Sequence, residues 1–504
     1  MKKYLDINSL INSDFYKKNQ RISWHISHLQ YDQLTHSLYN LFEKLKFDGR
    51  DDEIFQLAKH AIYKDMSAYL SHIYDYVILS LNNIQPIYSD KSNIYIHNIW
   101  KKKKLSLLPS FNLGNKIGIK NFIKKLYQIL VENIPKNFFK YIVLERNPLI
   151  KDFLTNKYTY LRMSYPSYLS LHKSESELSK ILSKKIFPII VLMIEEKYFK
   201  LEEDHKQSIN FIIEKHLSNA DNDLKNYDGF LKNTQNIILG TNTNYYSRLI
   251  STIARNHNTN IWKFDHGGER CFFDDDFYWN SSFFNTNVFV TYGKKWKKFV
   301  ERKAKDLNKD IEVKAIGSSK FQNIFNKFFK KKLKNNKKIL YIPAQFVSEE
   351  REFPYSKIID PVLYDWQKYL IETIQNFQYE VIYKTHPKGK LHADNNLGKI
   401  ANHNIIGSMI ESLSHTDTVI LDSAGSAFVE ALCAGKDVIY IDMNQRPFDK
   451  ENFEEFNTIV KIVSTYIKDG VYYLNLNELE NALNSQHKDI IKQEQFVKDY
   501  WLNI

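Results

Sequence analysis

From Asn236 onward, short apolar runs alternate with longer stretches in which apolar positions recur every three to four residues. Short continuous runs read as buried strands, and the three-to-four spacing reads as helix. The pattern predicts a strand at Ile237–Gly240, a helix at Tyr245–Asn256 and a strand at Ile261–Phe264. A strand at Val288–Thr291, a lysine-rich helix from Lys294 and a strand at Val313–Ile316 follow. Residues 327–338 then form a basic stretch with seven lysines, after which the series restarts. Strands are expected at Ile339–Ile342, Val381–Lys384, Val419–Leu421 and Val438–Ile441, with helices at Pro361–Phe377 and Ala424–Ala434. A last helix spans Glu478–Asn503 and carries Phe496, Tyr500 and Trp501 near its end. Strands and helices in alternation build mainly parallel sheets with helices on both faces. The expected fold class is α/β, with two doubly wound units facing across a cleft. Ligands are expected at the carboxyl ends of the strands.

Residues 1–227 read differently. Ser67–Leu81 and Glu195–Leu217 have helical spacing, and short strands are expected at Ile87–Tyr88 and Tyr141–Leu144. This region is largely helical and carries neither a motif nor a repeat. The chain thus divides into 1–227, by itself or as part of the unit that follows, 228–326, 339–480 and a C-terminal helix at 481–504 that packs back on the rest.

Composition narrows the classes. At 504 residues the chain has room for about three domains. Hydrophobic residues make up 43%, enough for cores, which excludes global disorder. Lys+Arg 71 against Asp+Glu 58 gives a net charge of +13, which favours anionic partners unless it reflects a general bias toward lysine. Two cysteines, Cys271 and Cys433, exclude a disulfide scaffold or a multi-cysteine metal site and fit a reducing compartment. The longest apolar run, Ile186–Ile194, is too short for a bilayer, which needs about 20 residues. The first residues lack the apolar core of a signal peptide. The protein is expected in the cytoplasm, at most peripheral to a membrane. No zinc pattern, RNA-binding aromatic motif or helix-turn-helix supports nucleic-acid binding.

Three segments can carry chemistry. In Leu421-Asp422-Ser423-Ala424-Gly425-Ser426, a strand runs into a helix start. Free backbone N–H groups there suit a phosphate. Gly425 allows close approach, and Ser423 and Ser426 add donors. Glu430 shares their helix face and is placed to accept from a ribose. The plainer reading makes Ser423 an N-cap and the alanines close-packing positions. Lys384-Thr385-His386-Pro387-Lys388 ends another strand and clusters donors for a phosphate ester. Asp265-His266-Gly267-Gly268-Glu269 ends a third, in the other unit. There His266 or Glu269 can act as general base toward an acceptor hydroxyl; the plainer reading is a glycine turn. Gly267, Gly268, Ser318 and Lys388 are placed at the cleft. Asp274-Asp275-Asp276 reads as a solvated loop rather than a metal site, and Lys101–Lys104 as an exposed basic turn.

In order and spacing, these segments resemble the two-domain GT-B nucleotide-sugar transferases of bacterial surface carbohydrates. The resemblance is to the capsule Kdo transferases, the His-Pro-containing sialyltransferases and the CDP-glycerol polymerases. It covers roughly residues 236–445. By resemblance, His386-Pro387 with Ser423, Gly425 and Ser426 binds the cytidine nucleotide's phosphate, Glu430 holds the ribose, and His266-Gly267 matches a proposed base. The fold implied is two Rossmann-like domains, 228–326 on the acceptor side and 339–480 on the donor side. The activity implied is transfer of a CMP-activated acidic sugar, a nonulosonic acid or Kdo, onto a surface-glycan acceptor, lipid-linked or not. It implies no cofactor and no metal. The sialyltransferases carry an acidic-acidic-Gly motif for the base, and here only His266-Gly-Gly-Glu269 stands in its place. A CDP-glycerol or CDP-ribitol phosphotransferase and a catalytically silent binding protein are the alternatives. The lysines of 327–338 offer a contact with anionic lipid, or simply an exposed linker.

Overall fold

A computed structural model describes residues 3–13, 18, 20–88, 98–99, 138–155, 159–163, 176–240, 244–330, 337–346, 358–386, 397–485 and 489–502. The protein is a mixed α/β molecule built on two large sheets. A small parallel pair, β1 (Lys3–Tyr4) and β2 (Pro86–Ile87), stands apart from them.

The first large sheet holds β3 (Tyr141–Val143), β4 (Tyr160–Arg162), β5 (Asn236–Leu239), β6 (Asn260–Phe264), β7 (Val288–Thr291) and β8 (Glu312–Ala315). Their order is β4-β3-β5-β6-β7-β8, all parallel. Two of its six strands therefore come from before residue 228. The second sheet holds β9 (Lys338–Ile342), β10 (Glu380–Lys384), β11 (His403–Ile405), β12 (Thr418–Leu421), β13 (Asp437–Asp442), β14 (Lys461–Lys468) and β15 (Val471–Leu474). The order is β11-β10-β9-β12-β13-β14-β15, and only β15 runs antiparallel.

Both sheets are covered on both faces, which is why their strands read as apolar runs rather than alternations. Side chains point alternately to opposite faces. Ile237, Leu239 and Ile261 pack under the helices Gly49–Leu81, Glu177–Lys197 and Glu203–Tyr227. Ile238, Trp262 and Phe264 face the other way, into a core shared with Leu340, Ile382, Val419 and Leu421 of the second sheet. On its far face, the second sheet buries Ile339, Tyr341 and Ile420 against Tyr4, Trp24, Tyr31 and the Asp360–Asn376 helix.

The helix expected over Glu195–Leu217 is two helices, Glu177–Lys197 and Glu203–Tyr227. The apolar spacing continues through the break because both helices face the same core. The helix expected over Glu478–Asn503 also divides, into Leu476–Asn484 and Ile490–Trp501. Asp489 caps the second, accepting from the N–H groups of Ile491 and Lys492. Among the described residues, no helix is long and apolar enough to cross a membrane. Lys101–Lys104 and residues 331–336 of the basic stretch lie outside the described residues.

Candidate functional site

Strand order directs attention to the second sheet. From β9 the chain moves outward through β10 and β11, then returns to place β12, β13 and β14 on the other side. The reversal falls between β9 and β12. In open parallel sheets, ligands settle at such a reversal, outside the carboxyl ends of the strands. The segment after β12 is Asp422–Ser426.

Asp422 is buried and serves the fold. It accepts from the Tyr341 hydroxyl at 2.6 Å, the Ala344 N–H at 2.5 Å and the Trp366 indole at 3.1 Å. Burial raises its pKa to about 6 against the pull of these bonds. Ser423 and Ser426 are exposed. The helix begins at Ser426 rather than Ala424, with Gly425 as its extended N-cap and no side-chain cap. Ser423 is thus not the N-cap, and the first turn keeps its N–H groups uncapped by a side chain. Among the described residues, nothing lies within 4 Å of a Cβ built on Gly425. Glu430, one face along, is buried, and its Oε1 lies 2.6 Å from the Lys320 ammonium.

His386 follows β10, next to β9, and is half-buried. The ends of β10 and β12 are two strand positions apart, about 9–10 Å. Lys384 is buried and donates to the Thr385 carbonyl at 3.1 Å; burial lowers its pKa. It does not project as the open phosphate donor expected from the sequence. Pro387 and Lys388 lie outside the described residues.

The Asp265–Glu269 loop follows β6. His266 is exposed, and its backbone N–H donates to Asp265 Oδ1 at 2.7 Å. The side-chain amide of Asn147 holds the Asp265 carbonyl at 2.6 Å. Gly267 has φ +98°, and a Cβ there would lie 2.2 Å from Glu269 Oε2, so the buried carboxylate lies over bare backbone. Gly268 has φ +85°, and its carbonyl accepts from the Trp501 indole at 2.7 Å. Glu269 Oε2 and Asp265 Oδ2 have no hydrogen-bond partner among the described residues. Asp265 is fully buried; burial first, and then the Glu269 charge, raise its pKa to about 7. Sequence reasoning gave Asp265 no role. Its signal was present: a carboxylate one residue past an apolar strand is held in the low-dielectric interior.

This loop meets the second sheet directly. Phe273 bridges to Phe448, the Asp274 N–H donates to the Pro447 carbonyl at 2.9 Å, and the Asp449 N–H to the Phe272 carbonyl at 2.9 Å. Phe272 lies 6.2 Å, ring to ring, from Phe428 of the Ser426–Cys433 helix. One aromatic core thus packs the segment just after the Gly-Gly loop against the Ser426–Cys433 helix and the loop before Asp449. Ser318 is buried and caps the Ser319–Ile324 helix, so it is a structural cap and not a free donor at the cleft. Asp274 pairs with Lys303 at 2.5 Å, and Asp275 caps the Asp276–Phe283 helix beside Arg270 and Arg446. The reversal of the first sheet lies between β3 and β5, where Glu145 presses against Gly240. That crevice has no local signature, because it depends on β3 pairing with a strand almost a hundred residues later.

No family model and no curated protein matches the sequence. Solved structures distantly similar in shape include the following two. Os79 from O. sativa, in complex with UDP and deoxynivalenol-3-glucoside, is 8% identical, with 75% of this chain and 92% of that chain covered and a TM-score of 0.34. The beta Kdo 2,7 transferase KpsC from Thermosulfurimonas dismutans is 13% identical, with 68% and 98% covered and a TM-score of 0.23.

Proposed function

We propose that the protein is a glycosyltransferase that moves a sugar from a nucleotide donor to a carbohydrate acceptor, on a GT-B-like pair of α/β domains. The observation that carries this reading is the exposed, uncapped helix start at Ser423–Ser426, set at the strand-order reversal of the second sheet. A helix start of this kind attracts the negative charge of a leaving nucleotide phosphate. His386, one strand beyond β9, adds a second donor. Glu430 joins the donor site only where a ribose replaces Lys320 as its partner.

The loop after β6 is the acceptor side. A single displacement needs one base for the acceptor hydroxyl. His266 is exposed beside two glycines, and imidazole is the most common general base. Glu269 lies against the backbone of Gly267, with one oxygen unpaired among the described residues. Either can take the proton, with the other holding it in place. A CMP-activated acidic sugar is the donor that the sequence resemblance favours, and a surface glycan is the matching acceptor.

The test is a thermal-shift screen against CMP, CDP, UDP, GDP and their sugars, followed by transfer assays. A ligand at 100 times its dissociation constant stabilises by about 2.7 kcal/mol. Stabilisation by cytidine nucleotides and turnover of CMP-sugars support the reading. Turnover of CDP-glycerol or CDP-ribitol instead makes this a phosphotransferase. Absence of any nucleotide binding leaves a silent binding protein.

A further inference from the structure

One cavity shares no lining residue with the site described above. It has a volume of about 100 Å³ and is walled by the His28–Lys44, Gly49–Leu81, Tyr245–Asn256 and Asp276–Phe283 helices. This is space enough for several waters or one small oxyanion. Its described lining carries Lys46, Lys59, Arg248 and Lys309 against a single carboxylate, Glu43.

Four cations facing one anion leave the cavity electropositive. Glu43 is taken by Lys59, with Oε1 at 2.9 Å from Nζ. Arg248 is 2% exposed. Its guanidinium stacks on Phe284 at 3.9 Å and donates one N–H to the Gln56 carbonyl at 3.0 Å, yet its buried Nε has no acceptor. A buried guanidinium with an unmet donor is costly. Lys46 and Lys309 have no acidic partner among the described residues. Burial first, with Arg248 and Lys46 adding to it and Glu43 opposing, lowers the Lys59 pKa to about 8. These groups repel one another unless an anion joins them.

We propose that this cavity is a binding site for a small oxyanion, phosphate either free or as the terminal group of a monoester. The site does not depend on the nucleotide reading.

The test is isothermal titration of the full-length protein in phosphate-free buffer, first with inorganic phosphate and then with a hexose monophosphate. Saturable one-to-one binding of either is expected. Tighter binding of the ester identifies an esterified ligand, and equal binding identifies the free oxyanion. Lys59→Met, which keeps the apolar stem, should weaken binding about tenfold or more, the effect of losing one charge-assisted hydrogen bond. The surface double variant Lys46→Ala/Lys309→Ala leaves the core intact and should weaken it several-fold. Absence of saturable binding of both ligands overturns the proposal, and so does unchanged affinity in both variants.

Discussion

The ammonium of Lys320 lies 2.6 Å from a carboxylate oxygen of Glu430, although the two are 110 residues apart. The pair joins the helix that follows β8 in the first sheet to the helix that starts at the reversal of the second. Glu430 is buried, so loss of Lys320 leaves a carboxylate without its counter-ion. Lys320 is about a third exposed, and water screens part of the effect. We expect Lys320→Ala to cost about 1–3 kcal/mol in chemical denaturation. Lys320→Ala/Glu430→Ala should cost less than the sum of the single changes, since the pair is coupled. Strict additivity would show that the contact contributes nothing.

The base can be tested by rates. Loss of a general base typically costs about 10²–10⁴ in turnover. His266→Ala should fall in that range while donor affinity is kept, because His266 lies on the loop after β6 and not on the serine helix. Glu269→Gln should lose less if it only positions the histidine, and as much if it is the base. Transfer at the wild-type rate in both variants would make this loop structural.

The donor site predicts a loss of affinity rather than of fold. Ser423 and Ser426 are exposed, so Ser423→Ala/Ser426→Ala should melt like the wild type. Nucleotide binding, measured by calorimetry, should weaken in that variant and in His386→Ala. Each lost hydrogen bond to a charged group is worth about 1.5–3 kcal/mol. Undiminished nucleotide affinity in both would remove the phosphate from this helix start.

Gly293 predicts a steric effect. Its N–H donates to the Tyr500 carbonyl at 2.8 Å, and a Cβ there would lie 2.3 Å from the Asp499 carbonyl oxygen. Backbone cannot give way as a side chain can. Gly293→Ala should therefore push the Ile490–Trp501 helix outward and destabilise by about 1–3 kcal/mol. Faster proteolysis near residue 490 would report the displacement, and an unchanged melting temperature would contradict it.

Asp223 predicts a pH dependence. It is buried and accepts from the Tyr245 hydroxyl at 2.7 Å, and burial raises its pKa from 3.8 to about 7. Between these values the folded state holds a proton that the unfolded chain has released. The contribution of the neutral carboxyl is full below about pH 4 and is lost as pH rises through about 7. Asp223→Asn does not titrate and keeps an acceptor for Tyr245. Its melting temperature should therefore rise relative to wild type from pH 4 to pH 7.5. Parallel curves across that range would show that Asp223 ionises normally.

Much of the second half of the chain was legible locally. Tyr245–Asn256 and Val288–Thr291 fall where the spacing of apolar residues places them. Buried parallel strands show as apolar runs because both their faces are covered, and amphipathic helices show their spacing whatever they pack against. Gly267 and Gly268 were also legible as a tight turn, and their positive φ angles bear this out. The division of Glu195–Leu217 was not, because one apolar face continues across both helices into the same core, and that of Glu478–Asn503 was not although its two helices pack into different cores.

Local spacing set the kind of most elements after Asn236 and the chemistry at the strand ends: serines after β12, a histidine after β10, and a histidine, two glycines and a glutamate after β6. These follow from local sterics, spacing and hydrogen-bonding capacity. Only the tertiary structure decided which strands are neighbours, and with that where the order reverses. It also decided that Tyr141 starts a strand of the first sheet, that Lys384 turns inward, and that Glu430 meets Lys320. Contacts between residues a hundred positions apart are chosen by the collective burial of apolar faces and by charge pairing in the interior, and neither leaves a trace in the local pattern.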